Sequence, residues 1–113
     1  MNLDRYCMAL LTTRHDGPPS DDRHSDAVQD AHMAHLADLH DAGHLLAAGP
    51  VDGGEIRGLL IFASDPAQTR ELLLEDPAVR AGWFHVTVAP WMVPEGAMTF
   101  AAAAFPRSMA DLG

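Results

Sequence analysis

Apolar and polar positions recur with two different periods along this chain, and the switches between them mark its elements. Residues 5–12, RYCMALLT, are a nearly continuous apolar run and predict a buried strand. Residues 14–24, RHDGPPSDDRH, are rich in Gly, Pro, Ser and Asp and predict a polar loop. Ser25 suits the N-cap of a helix, with Asp26 in its first turn, and the helical period then runs to Gly43, the residue type favoured just past a helix end. At about 100° per residue, Val28, Ala31, His32, His35, Leu36, Leu39 and Ala42 share one face of that helix. Asp26, Asp30, Asp38 and Asp41 fall on the other.

His44–Ala48 predicts a short strand closed by Gly49-Pro50, VDGGE a turn, and Ile56–Ala63 (IRGLLIFA) a third strand. Asp65 and Pro66 fit the N-cap and first position of a second helix, which runs to Leu74 and is broken at Asp76-Pro77. Trp83–Pro90 alternates, with Phe84, Val86 and Val88 on one face and Trp83, His85, Thr87 and Ala89 on the other. Beyond Pro94, the run FAAAAF leaves helix and strand both open.

The order β-α-β-β-α-β predicts a ferredoxin-like α+β fold, a four-stranded antiparallel sheet with two helices on one face. Yet CMALL and LLIFA are apolar on both faces, the pattern of strands covered twice. Two helices on one side leave the other side bare. A second copy of the chain, sheet against sheet, is the simplest cover, so a homodimer is expected.

Composition narrows the function. A chain of 113 residues with 48% hydrophobic and 20% charged residues is expected to be one soluble globular domain. Its net charge of −9 argues against nucleic acid and against an anionic membrane surface as partners. There is no lysine, which excludes Schiff-base chemistry on one. The single cysteine, Cys7, cannot form an intrachain disulfide and lies within a strand, where inert packing is expected. No signal-like segment precedes it and no apolar run nears the roughly 20 residues that span a bilayer, so a cytoplasmic location is expected.

The chemistry centres on the first helix. His32 and His35 lie three residues apart in the stripe that should be buried, and a buried imidazole needs partners. Either the core satisfies these rings or a pocket lies beside the helix. His32 can act as a general base or acid near neutral pH, or be a core histidine bonded to a strand carbonyl. His35 reads as a pocket wall or as packing. Two histidines on a helix can also supply zinc ligands, with Asp76 or His85 as a third, but no H-E-x-x-H, no CxxC and no same-face carboxylate completes a set, and no metal is expected. Asp76 before Pro77 reads either as turn and capping chemistry or as a carboxylate orienting a histidine. Gly49-Pro50 reads as a turn or a pocket rim. Tyr6, Trp83 and His85 read as core packing or as aromatic walls for a flat ligand.

The ordered set H-x-x-H-L-x-x-L-x-x-x-G-x-L-x-x-A-G-P from His32 to Pro50, the strand LLIFA, the Asp76-Pro77 step and the closing strand HVTVAPW resembles the YCII-related (YciI-like) family over about residues 5–91. The resemblance implies a dimeric ferredoxin-like α+β barrel over 1–93, followed by a C-terminal extension, 94–113. It implies His32 and Asp76 as a catalytic pair, and the reading of the residues adds Tyr6, His35, Gly49, Pro50, Trp83 and His85 as candidates around a substrate. The expected function is cofactor-independent acid–base catalysis, of lyase or isomerase type, on a small cyclic or aromatic hydroxylated compound. A non-catalytic metabolite-binding module and a metal-dependent protein are the alternatives.

Overall fold

The strands that are apolar throughout are the central ones. A computed structural model describes residues 1–17 and 22–112, with the backbone alone for 22–25. The strands β1 (Leu3–Thr13), β2 (Leu45–Pro50), β3 (Ile56–Phe62) and β4 (Phe84–Pro94) form one antiparallel sheet in the order β2-β3-β1-β4. β1 and β3 thus have hydrogen-bonded neighbours along both edges. Two main helices, α1 (Asp22–Asp41) and α2 (Pro66–Leu74), complete the ferredoxin-like α+β arrangement, with a one-turn helix α3 (Pro77–Arg80) after α2.

The core lies between the helices and one face of the sheet. Cys7, Ala9 and Leu11 of β1 and Leu60 and Phe62 of β3 pack with Leu39 of α1, Leu45 of β2 and Leu73 of α2. Burying a side chain such as Phe62 fully contributes about 1.5–3 kcal/mol. The alternate residues Tyr6, Met8 and Leu10 turn to the other face and are half-buried, and Leu59 beside Leu10 is exposed. Cys7 packs inertly at 1% exposure.

Three expectations need correction. α1 begins at Asp22, so 22–24 are helix rather than loop and Ser25 lies inside the helix; the Ser25 side chain and residues 18–21 lie outside the described residues. No Gly or Pro stands between Asp22 and Gly43 to stop the helix from extending backwards. Second, the buried face of α1 is rotated from the expected stripe. Met33 and Ala37 are buried with Leu39, whereas Ala31 and Ala42 are exposed, because α1 packs against both α3 and β2. Third, the break at Asp76-Pro77 is itself a helix start: Asp76 caps α3 and Pro77 takes its first turn, where a missing N–H costs nothing.

Two irregularities shape the sheet near the cavity described below. Leu11 pairs with Gly58 but Thr12 pairs with Ile56, so Arg57 is an extra residue in β3. Beyond β4 the chain turns at Gly96, whose N–H donates to Asp4 (3.0 Å), and residues 98–106 form neither helix nor strand. Phe100 meets Tyr6 edge-on at 5.4 Å. The tail then follows α1: the Arg107 guanidinium donates to Asp38 (2.8 Å) and Asp41 (2.6 Å), and the Met109 N–H donates to Asp30 before a short 3₁₀ helix, Met109–Leu112. The hydrogen bonds to Asp38 and Asp41 hold the Arg107 pKa above its ordinary value.

Candidate active site

His32 and His35 meet different ends, although they leave the same side of α1. His35 is satisfied by the core: its Nε2 lies 2.9 Å from the carbonyl of Leu72, a bond that ties α1 to α2. His32 is paired instead with Asp76, 44 positions away, with Nδ1 2.6 Å from Oδ2. Its side chain retains 11% exposure, while Asp76 has none.

Asp76 is held by the turn it caps. Its Oδ1 accepts from the N–H groups of Ala78 (2.8 Å) and Val79 (3.3 Å), leaving Oδ2 for the imidazole. The capping reading and the histidine-orienting reading therefore describe one carboxylate, with an oxygen for each. Three donors satisfy a group whose burial would otherwise be costly.

A carboxylate only accepts, so Nδ1 carries the hydrogen and donates it to Asp76. In the neutral ring this leaves the lone pair on Nε2, which has no partner among the described residues. His32 lines a cavity of about 320 Å³ bounded by α1, the strands and the tail. Its walls are largely apolar: Leu11, Leu36 and Leu60 from the core elements, Phe84 from β4, and Phe105 from the tail. The Phe84 ring lies 6.1 Å from that of His32. Gln29 and Arg57 are the other polar side chains at the cavity.

Of the remaining residues expected at a ligand, Gly49 and Pro50 line this cavity at the end of β2. Tyr6, Trp83, His35 and His85 are not among its walls. Tyr6 packs on the opposite face of the sheet against Phe100 and Trp91. Trp83 packs edge-on against Phe84, and His85 is exposed. Strict alternation explains this, since Phe84, Val86 and Val88 face the core cluster and His85 faces away.

Sequence reasoning missed Arg57, Phe105, Pro106 and Leu112 as cavity residues. The tail residues carry no periodic signal, and only an aromatic after a run of alanines hints at an anchored segment. Phe105 stacks on His40 at 4.0 Å with the rings 10° from parallel, and the His40 nitrogens lie 2.7 Å from the Leu45 carbonyl and 3.1 Å from that of Ala103. No group of three or more metal-ligating side chains is gathered among the described residues. Among them, no helix is long and apolar enough to cross a membrane.

Comparison with known proteins adds three findings. The YCII-related domain matches residues 8–92. A solved structure of 5-chloro-2-hydroxyhydroquinone dehydrochlorinase from Burkholderia phenoliruptrix, in complex with 2,5-dihydroxybenzoquinone, superposes with a TM-score of 0.52. It is 22% identical, and the match covers 76% of this chain and 92% of that one. No curated protein matches the chain.

Proposed function

The chain belongs to the YCII-related domain family, and from that membership and the geometry at α1 we propose that it is an acid–base enzyme of lyase or isomerase type, acting on a small hydroxylated aromatic compound. The observation that carries this is the 2.6 Å contact between His32 Nδ1 and the buried Asp76 carboxylate, in a histidine that also lines a cavity.

Nε2 takes the proton of a substrate hydroxyl, and the Asp76 carboxylate stabilises the imidazolium that forms. The hydroxyl's electron pair moves into the ring. Return of the proton from Nε2 to a ring carbon gives a keto isomer, which is an isomerisation. A leaving group on that tetrahedral carbon can instead depart with its bonding pair as a second hydroxyl loses its proton, which is an elimination. No step needs an oxidant or a metal. The neighbour that removes chloride from a hydroxylated ring supports the second course as the first to test.

The test is incubation with 5-chloro-2-hydroxyhydroquinone in heavy water, following chloride release and deuterium uptake at the ring. The unaltered protein should accelerate at least one, and His32→Ala should lose it while remaining folded. Acceleration that survives His32→Ala would overturn the proposal. Binding of the ring without either reaction would favour a metabolite-binding module.

The reading includes a homodimer. Tyr6, Met8 and Leu10 on the sheet face turned from the helices are only half-buried, and Leu59 beside them is 40% exposed. A second copy covers that face. Light scattering at micromolar concentration should report twice the chain mass, and a folded monomer would refute it.

A further inference from the structure

The cavity holds a cation that the acid–base reading does not use. Of the six arginines whose side chains are described, in a chain with 16 acidic residues, three are held by carboxylates. Arg14, Arg80 and Arg107 are paired with Asp16, with Glu75, and with Asp38 and Asp41, and Arg70 reaches the Val86 carbonyl. Arg5 and Arg57 have no such partner among the described residues, and of the two only Arg57 lines the cavity. The carboxylate nearest it in sequence, Glu55, lies against His15 at 2.7 Å.

The backbone accounts for the position of Arg57. Gly58, Leu60 and Phe62 face the helices, so simple alternation would send residue 57 to the opposite face. The register shift between Leu11 and Thr12 makes Arg57 the additional residue, and a bulge of this kind re-aims a side chain. Arg57 accordingly lines the helix-side cavity that His32 also lines. Gly58, next to it, places no side chain in the space.

We propose that Arg57 determines specificity by binding an anionic oxygen substituent of a single-ring substrate, on the strand side of the cavity whose helix side carries His32. The proposal rests on the cavity being the substrate site. A volume of about 320 Å³ lies at the lower end of ligand pockets and suits one substituted ring. Its apolar walls accept the ring faces and give a negative charge no other partner of fixed positive charge. With a net charge of −9 the molecule as a whole repels anions, so anion binding here depends on a local donor. A guanidinium supplies two parallel N–H donors to a carboxylate, or a forked pair to an ionised ring oxygen.

The experiment compares three one-ring probes by calorimetry: 2,5-dihydroxybenzoate, which carries a carboxylate; 2,5-dihydroxybenzoquinone, which carries charge on ring oxygens; and neutral hydroquinone. At least one anion should bind about tenfold or more tightly than hydroquinone, and the tighter of the two identifies the kind of oxygen preferred. Arg57→Gln should remove that preference without weakening hydroquinone, and Arg57→Lys should keep part of it. His32→Ala should leave the preference intact, which separates failure of this proposal from failure of the acid–base reading. Equal binding of all three probes, no detectable binding of any at millimolar concentration, or an unchanged preference in Arg57→Gln would overturn it.

Discussion

Two histidine–carboxylate contacts of nearly equal length occur in this molecule, and they differ in almost everything else. His32 and Asp76 meet at 2.6 Å with side-chain exposures of 11% and 0%. His15 and Glu55 meet at 2.7 Å with exposures of 73% and 68%. Water competes for every donor and acceptor in the second pair, and both long-range partners retain rotamer freedom. In the first, the carboxylate is immobilised by two backbone N–H groups before the histidine reaches it. Distance alone therefore does not make a catalytic pair. A fixed, buried acceptor and a place at the cavity wall are what set apart the pair proposed as catalytic.

The contrast breaks most sharply at His32. His32→Ala should lower turnover by about 10²–10⁴-fold, the usual cost of removing a proton-transfer group, with an unchanged circular dichroism spectrum. A loss of less than tenfold would place His32 with His15 as a structural contact. Asp76→Ala comes next, because it removes an N-cap and leaves the His32 N–H without its acceptor. Chemical denaturation should show a loss of about 2 kcal/mol or more. Asp76→Asn keeps a capping oxygen, so it should recover much of that stability while turnover stays low. Recovery of both together would mean that Asp76 only caps.

His35→Ala sharpens the comparison from the other side. It removes the bond to the Leu72 carbonyl and should cost about 1–3 kcal/mol of stability, with turnover of the folded protein changed only a few-fold. The smallest effect is expected at the exposed pair. His15→Ala and Glu55→Gln should each stay within about 0.5 kcal/mol by denaturant titration, and neither should alter turnover.

Much of the fold was legible in the sequence because its signals are local. The two-sided apolarity of CMALL and LLIFA marked the central strands, and Asp65-Pro66 and Gly43 marked helix ends that stand where expected, with Gly43 at a φ of 85°. The helical wheel placed His32 and His35 on one face, but periodicity has no means of telling which would find a carbonyl and which a carboxylate. That difference depends on where the α2–α3 connection falls. The pairing of His32 with Asp76 was implied by family resemblance, since 44 positions of sequence carry no trace of a contact. Arg57 and Phe105 were hidden for separate reasons. A bulge reverses the parity on which strand reading depends, and an aperiodic tail offers no period to read.

Cys7, buried at 1% exposure in the middle of β1, has a practical consequence for spectroscopy. The chain has a single sulfhydryl group, and reagents reach it only when the core opens. Leu112→Cys would therefore introduce a selectively reactive thiol in the native fold, on the cavity wall and at a position that is 60% exposed. A fluorine or spin label attached there would give one signal without removing any native residue elsewhere. Its line shape would report cavity occupancy directly, ligand by ligand, before any turnover assay is in hand.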